Sequence, residues 1–323
     1  MSTPHLLDRV FARASRAAPS FVRGYGDEAI LESFRERRFD ARFAEILREG
    51  PPEPRWGEAR ASRVWPGVRV RDGQLVSPFL GLPSPVDEVH VRELSAPLRT
   101  PVGAFVVLAA SREEGYATRE LVWGPLVRDG YRVYLLENPY YGKRRAREQT
   151  SASLATVSEQ LVMNVASVFE AGVLLESLAR AHGELPIGVV GYSQGGYMAA
   201  LTAALYPRDI FTCVLACGAA AAPIFIDGLL ARSVDFRSIT PERLRHVLDA
   251  VDLLHFPAPR RSDAAVLVAA TRDGFVQPHQ VERLHAHWPS SRLVWKDGGH
   301  VSLLVRHHRT LRKAVRDAAA VLR

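Results

Sequence analysis

A short apolar run that leads directly into a glycine-rich turn around a serine constrains this chain more than any other feature. Residues 186–190 read Pro-Ile-Gly-Val-Val, as in a buried strand, and residues 191–195 follow as G-x-S-x-G. Residues 197–205 are small, apolar and compatible with a helix that ends before Pro207. Strand, tight turn and helix in this order form a nucleophile elbow, in which the glycines make room for closely passing backbones. The sequence therefore predicts that Ser193 is a nucleophile.

Two later strands place an acid and a histidine after the serine, in the chain order serine, acid, histidine. Residues 264–270 are apolar and end in Thr-Arg-Asp-Gly, so Asp273 falls on the loop at the end of that strand. Residues 291–295 read as the last strand, and the glycine-rich loop after it carries Asp297 and His300. We predict His300 as the base. Asp273 is preferred as the acid over Asp297, because the acid normally comes from a separate, earlier strand end.

The predicted trio supplies the groups that acyl transfer to a serine needs. A serine hydroxyl is a weak nucleophile at neutral pH, so His300 would accept its proton while Asp273 orients the imidazole and stabilises the imidazolium. The oxyanion that forms needs two N–H donors. One is expected from Gln194, directly after the serine, and the other from Ala110 or Ser111, after an early predicted strand.

Strands alternate with helices along most of the chain, which predicts an α/β fold with a mostly parallel central sheet and helices on both faces. Residues 1–60 are expected to form an N-terminal helical extension and residues 61–323 the main α/β domain. Residues 51–54, Pro-Pro-Glu-Pro, mark a break within the extension. Residues 219–262 are too long for an ordinary connection and are a candidate lid insertion over the serine.

Cysteine placement and hydropathy point to a cytoplasmic protein. Cys213 and Cys217 lie four residues apart on one predicted strand, 211–217, too far apart to form a disulfide, so we expect core thiols in a reducing compartment. No stretch approaches the roughly 18 consecutive apolar residues of a membrane span. Residues 1–21 lack the apolar core of a signal peptide, and a docked helix is expected there.

The net charge of +7 at pH 7 raises the question of an anionic partner. No module that combines aromatic and basic residues for nucleic acid is present, so no nucleic-acid partner is expected. The basic run 143–147, Lys-Arg-Arg-Ala-Arg, follows the predicted strand 131–136 at the end of the sheet where ligands bind. It is either a solvated helix start or part of the active-site mouth, where its four cations would contact an anionic headgroup or membrane surface.

Three tyrosines, whose rings have apolar faces and polar tips, are predicted to contact substrate: Tyr140, Tyr141 and Tyr192.

The residues around these motifs resemble the alpha/beta hydrolase domain containing 18 family. The resemblance rests on Glu-Asn-Pro-Tyr-Tyr-Gly at 137–142, on the elbow through residue 199 and on Gly-Gly-His-Val-Ser at 298–302. It continues near the N-terminus, at residues 21–26 and 72–78. It implies the α/β-hydrolase fold, with Ser193, Asp273 and His300 on the family's triad, and points to hydrolysis of acyl esters, with lipids as the expected substrates. One departure is that residues 108–115 lack the Gly- and His-bearing loop usual in that family.

These observations predict a serine hydrolase that cleaves a carboxylic ester or thioester through an acyl-enzyme, with a small-molecule or lipid ester as substrate. No metal or organic cofactor is implied. Two other functions fit the same residues: an acyltransferase, which would exclude water from the acyl-enzyme, and a catalytically silent binding protein of the same fold. Product analysis with and without an alcohol acceptor separates hydrolysis from transfer.

Overall fold

The computed structural model of the chain describes residues 3–50 and 52–323 and contains a ten-stranded sheet. Pro51 of the predicted break lies outside the described residues. The strands are β1 (Arg55–Trp56), β2 (Arg60–Ala61), β3 (Arg69–Val76), β4 (Glu88–Ser95), β5 (Gly103–Leu108), β6 (Tyr131–Leu136), β7 (Ile187–Tyr192), β8 (Phe211–Leu215), β9 (Ala265–Ala270) and β10 (Arg292–Lys296).

The sheet is antiparallel at one edge and parallel over the rest. Its order is β1-β3-β4-β6-β5-β7-β8-β9-β10, with β2 paired to β3. Strands β3 and β4 run antiparallel to their neighbours, whereas β6, β5, β7, β8, β9 and β10 are mutually parallel. The carboxyl ends of the parallel strands therefore meet along one edge, where the loops that follow them can converge.

Helices cover both faces of this sheet. The helices are α1 (Leu6–Ser15), α2 (Glu28–Arg35), α3 (Arg38–Arg48), α4 (Ala117–Arg128), α5 (Val157–His182), α6 (Gln194–Leu205), α7 (Ala222–Ile226), α8 (Pro241–Asp249), α9 (Pro278–His287), α10 (His300–Arg306) and α11 (His308–Ala320). Side chains alternate along β5: Val106 and Leu108 join the core cluster of α3, α5 and α6, while Phe105 and Val107 join that of α4 and α11. The predicted α/β fold, with a mostly parallel central sheet and helices on both faces, is confirmed.

Helix α5 crosses the core and begins at a capping box. The Thr156 side chain accepts the Glu159 N–H, and the Glu159 carboxylate accepts the Thr156 N–H in return. By length and composition alone this helix could cross a membrane, but 94% of its most apolar window is buried inside the fold. Its apolar surface is thus explained by packing against the sheet and α6.

Residues before 61 contribute to the sheet as well as to helices. Strands β1 and β2 pair with β3, so the sheet begins ahead of the predicted domain boundary at residue 61. The predicted N-terminal helix is α1, which packs against α10. Residues 219–262 connect β8 to β9 and contain α7 and α8; buried Leu244, Leu248 and Phe256 anchor this segment in the core.

One arginine of the basic run 143–147 is a core residue. The Arg144 side chain is fully buried and forms a bidentate ion pair with the equally buried Glu170 of α5, at 2.6 and 2.7 Å. Its guanidinium also donates to the carbonyls of Val86 and Glu137. The expectation that Arg144 contacts an anionic headgroup is therefore wrong. The N–H groups of its guanidinium are already bonded inside the core, where they join Glu170 of α5 to the Val86 and Glu137 carbonyls.

We predict that Arg144→Met lowers the free energy of unfolding by about 3–5 kcal/mol, because it leaves the Glu170 carboxylate buried without its cation. Arg145→Met is the matched control. The Arg145 side chain is one-third exposed and pairs with Glu114, and loss of such a pair costs about 1 kcal/mol or less. Urea unfolding of both variants measures the difference. Equal losses would contradict a structural role specific to Arg144.

Candidate active site

Ser193 lies on a strained turn between β7 and α6. Its backbone has φ +57° and ψ −120°, a conformation that non-glycine residues rarely adopt. The Ser193 N–H donates to the Leu215 carbonyl at 2.7 Å, which ties the turn to the end of β8. A Cβ at residue 191 would lie 1.9 Å from the Gly195 carbonyl oxygen, so only glycine fits there. The predicted elbow conformation is therefore present.

Ser193, His300 and Asp273 form a continuous hydrogen-bonded chain. The Ser193 Oγ lies 2.9 Å from His300 Nε2, and His300 Nδ1 lies 2.7 Å from Asp273 Oδ2. The second Asp273 oxygen accepts the N–H groups of Phe275 and Val276, each at 2.8 Å. These two bonds fix the carboxylate, so that Asp273 presents one oxygen to the imidazole.

Asp297, the competing acid, lies elsewhere. Its side chain is 82% exposed and pairs with Arg272 at 3.2 Å. The Thr271 hydroxyl also donates to it at 3.3 Å. It therefore has no contact with the imidazole, and the structure brings Asp273 rather than Asp297 to His300.

The charges around His300 favour its protonated form. Burial alone would lower the pKa of His300, but the negative charge of Asp273, the hydrogen bond to it and the charge of Asp8 outweigh burial. The pKa of His300 is accordingly raised above its ordinary value of 6.5. An imidazolium formed by proton transfer from Ser193 would be stabilised by the same charges.

The two predicted N–H donors for an oxyanion differ in availability. Gln194 is the first residue of α6, so its N–H has no partner within the helix. Its side-chain amide donates to Asn164 at 2.7 Å. The Ala110 N–H is engaged, since it donates to the Glu113 carboxylate at 3.0 Å. Of the two residues expected for the second donor, Ser111 is the one left, and it lines the cavity beside Ser193.

The block 137–142 supports the loop that holds Ser111. The Tyr141 hydroxyl lies against this loop, where the Arg112 N–H and the Ser111 side chain form hydrogen bonds with it. Burial raises the pKa of Tyr141, and these two hydrogen bonds oppose that rise. Asn138 donates to the Ala109 carbonyl at 3.3 Å, and Glu137 accepts the Gly115 N–H at 3.0 Å. The Gly142 N–H also donates to the Glu114 carboxylate at 2.8 Å, so several residues of the block contact the 109–115 loop.

Two of the three tyrosines predicted to contact substrate do not line the cavity beside Ser193. Tyr141 is buried beneath the 109–115 loop, and Tyr140 lines two other surface depressions. Tyr192 does line this cavity, and its hydroxyl donates to the His300 carbonyl. The structure therefore does not place Tyr140 and Tyr141 in the lining of this cavity. Exposed Lys143 and Arg147 of the basic run also lie away from this cavity.

The cavity beside Ser193 has a volume of about 390 Å³ and a mostly apolar lining. Its apolar side chains come from the N-terminal helix, the 219–262 segment, the loop that follows β9 and helix α10: Phe11, Ile224, Leu230, Phe275, Val276, Val301 and Leu304. Ser193, His300 and Ser111 provide polar groups at its wall. Such a cavity accepts an apolar group while presenting a few polar atoms to a reacting centre.

Sequence reasoning missed the part that helix α1 plays in this site. Asp8 of α1 is fully buried and accepts hydrogen bonds from the backbone N–H groups of Gly274, His300 and Val301. The one available signal was that Asp8 is the only acid in a helix that carries two arginines. Across residues 3–50 and 52–323, no group of three or more His, Cys, Asp or Glu side chains is arranged to hold a metal ion.

Comparison with solved structures identifies the fold as that of an α/β hydrolase. An acetyl xylan esterase from Paenibacillus sp. R4 aligns over 94% of this chain and 98% of its own, at 13% identity and a TM-score of 0.60. Acetyl xylan esterase 1 from Thermoanaerobacterium sp. JW/SL YS485 aligns over 93% and 98%, at 14% and 0.56. A cold-adapted esterase from an Arctic intertidal metagenomic library aligns over 81% and 97%, at 16% and 0.52.

Sequence comparison is more specific than these structural matches. The model of the family described as alpha/beta hydrolase domain containing 18 matches residues 18–242 and 239–320. The chain belongs to that family. Helix α1 precedes the first matched residue, so Asp8 lies outside the matched region.

We predict that Ser193→Gly raises the melting temperature relative to Ser193→Ala. Both variants lose the hydrogen bond to His300, so the comparison isolates the backbone. Relief of the φ +57° conformation contributes about 1–3 kcal/mol. The extra freedom of glycine in the unfolded chain costs about 0.5–1 kcal/mol, so the net effect is stabilising. Differential scanning calorimetry measures it, and a lower value for Ser193→Gly would contradict strain at the elbow.

Proposed function

We propose that this protein is a serine hydrolase that cleaves carboxylic esters or thioesters through an acyl-enzyme. The observation that carries the proposal is the hydrogen-bonded chain of Ser193, His300 and Asp273 at the wall of an apolar cavity. Family membership and the fold shared with esterases support it. The elbow conformation adds support, because it holds Ser193 Oγ in the cavity and leaves the first N–H groups of α6 facing it.

The proposed reaction has two halves. Ser193 Oγ attacks the carbonyl carbon of the ester while His300 Nε2 takes the hydroxyl proton, and the carbonyl π electrons move to oxygen. The Gln194 and Ser111 N–H groups donate to that oxyanion. The carbonyl re-forms as the alcohol or thiol leaves with the proton from His300. Water then attacks the acyl-enzyme, gives its proton to His300 and releases the carboxylic acid, with the proton returning to Ser193.

The cavity lining favours an acyl group that is apolar. Apolar side chains from four separate segments surround the space next to Ser193, so desolvation of a hydrocarbon group there is favourable. A lipid acyl chain fits this lining, with its ester carbonyl at Ser193. Ile224 and Leu230 of the 219–262 segment supply part of the wall, which supports a lid role for that segment.

We expect a fluorophosphonate probe to label the protein at Ser193, and Ser193→Ala to abolish both labelling and ester turnover. The reason is that the probe reacts with a serine only when a base removes its proton. In-gel fluorescence and peptide mass spectrometry report the labelled residue. Ser111→Ala serves as the control, because its backbone N–H remains. Labelling of Ser193→Ala at another serine, or retained turnover, would refute the proposed nucleophile.

The role of the acid is tested by two matched amide substitutions. Asp273→Asn is expected to lower kcat on the order of 10⁴-fold, because the amide cannot hold the imidazole in the required tautomer or stabilise its cation. Asp297→Asn, which alters an exposed pair with Arg272, should leave kcat unchanged. Steady-state kinetics on p-nitrophenyl esters of graded chain length compares the two variants and ranks acyl length. A larger loss in Asp297→Asn would reverse the assignment.

A further inference from the structure

Asp8 of helix α1 connects two loops of the active site through backbone hydrogen bonds. Its Oδ2 accepts the N–H groups of Gly274 and His300, and its Oδ1 accepts that of Val301, each at 2.9 Å. Gly274 is the residue after Asp273, whereas His300 and Val301 begin α10. One carboxylate thus contacts both the loop of the acid and the loop of the base.

The contact is close and buried. Asp8 has no exposed surface. A Cβ at residue 299 would lie 2.4 Å from Asp8 Oδ2 and 2.4 Å from the His5 Cβ, and one at residue 274 would lie 2.9 Å from the Pro4 Cβ. Both loops therefore meet the N-terminal segment at glycines, and no water-sized space separates them from it.

We propose that Asp8 is a positioning residue, whose carboxylate holds the Asp273 loop and the His300 loop at the separation that their hydrogen bond requires. This inference rests on the proposed function, since it assigns Asp8 a part in the same reaction. Asp8 acts through the backbone on both sides and touches neither the substrate nor the reacting atoms. Removal of its carboxylate would leave three buried N–H groups without an acceptor and the two loops free to move apart.

The other end of the N-terminal segment contacts the third active-site loop. Arg112, directly after Ser111, donates to the carbonyls of Ser15 and Ala18 at 3.2 and 2.8 Å. It also donates to the Ser20 hydroxyl at 3.2 Å. The segment that carries Asp8 therefore also contacts the 109–115 loop, on which Ser111 lies. It thus packs against all three of the loops that surround Ser193.

Asp8 also contributes a negative charge near the imidazole, which gives the proposal a readout beyond stability. The titratable groups that face His300 are Asp273 from the loop after β9, Tyr192 from the end of β7 and Asp8 from α1, with Arg112 and Glu113 on the same cavity. The charge of Asp8 stabilises the imidazolium. Loss of that charge lowers the pKa of His300, so the acid limb of kcat/KM moves to lower pH.

The experiment compares Asp8→Asn and Asp8→Ala with the wild type on one p-nitrophenyl ester across pH. In the wild type the acid limb is expected above pH 6.5, since activity is lost as the raised pKa of His300 is crossed from above. Asp8→Asn keeps an oxygen for Gly274 and His300 but places a donor against the Val301 N–H, so its acid limb should shift to lower pH. Asp8→Ala should lower kcat on the order of 100-fold with KM little changed, because the loops are no longer held.

Asp252→Asn and Asp252→Ala are the matched controls. Asp252 is also a buried aspartate that accepts a backbone N–H, from Leu254 at 2.9 Å, and it is not among the groups that face His300. These variants should lose stability without a change in the acid limb. The inference is overturned if Asp8→Asn leaves the acid limb in place and Asp8→Ala reduces kcat no more than Asp252→Ala. If instead the wild type is not labelled at Ser193 by a fluorophosphonate, the proposed function fails first.

Discussion

The position of Ser193 depends on how closely the backbone of β7 approaches the first turn of α6. A Cβ at residue 191 would overlap the Gly195 carbonyl, and a Cβ at residue 195 would lie 2.4 Å from the Leu108 carbonyl oxygen at the end of β5. The Ser193 N–H is bonded to the end of β8. Three neighbouring parallel strands, β5, β7 and β8, therefore fix the position of the serine. Each of these strands is packed on both faces, so none of them can shift to relieve the close contact.

The same close approach of β7 to α6 fixes where the 109–115 loop begins. Leu108 is the last residue of β5, so the chain passes from its contact with Gly195 directly into residues 109–115. That loop has no glycine before Gly115 to let it fold tightly against the elbow. Its position is instead supported from below by the 137–142 block, through Tyr141, Asn138 and Glu137. A motif that lies outside the cavity is thereby joined to the loop on which Ser111 sits.

Features carried by local periodicity could be predicted from the sequence. The strands at 104–108 and 131–136, the elbow and the helix after it each follow from a run of apolar or small residues with glycine at the turn. The order of strand ends along the chain was enough to bring Asp273 and His300 to Ser193. Parallel pairing of the strands is by itself enough to place the loops of Ser193, Asp273 and His300 at one edge of the sheet.

Features carried by contacts between distant segments could not be predicted. Arg144 stands in a run of cations, which by composition reads as a solvated surface, yet it is fully buried because Glu170 on α5 lies opposite it. Tyr141 reads as a rim residue until the path of the 109–115 loop is known. Asp8 contacts residues more than 260 positions away, and no local pattern encodes such a pairing.

The two buried aspartates around His300 differ in what they contact. Asp273 contacts the imidazole ring, whereas Asp8 contacts the backbone that carries it. Among the ion pairs of residues 3–50 and 52–323, Asp8 has none with a lysine or arginine, and Asp273 pairs with His300 alone. Backbone N–H groups satisfy the remaining oxygens of both carboxylates. In the proposed reaction, the charges of both carboxylates would therefore stabilise the imidazolium that His300 becomes when it takes the Ser193 proton.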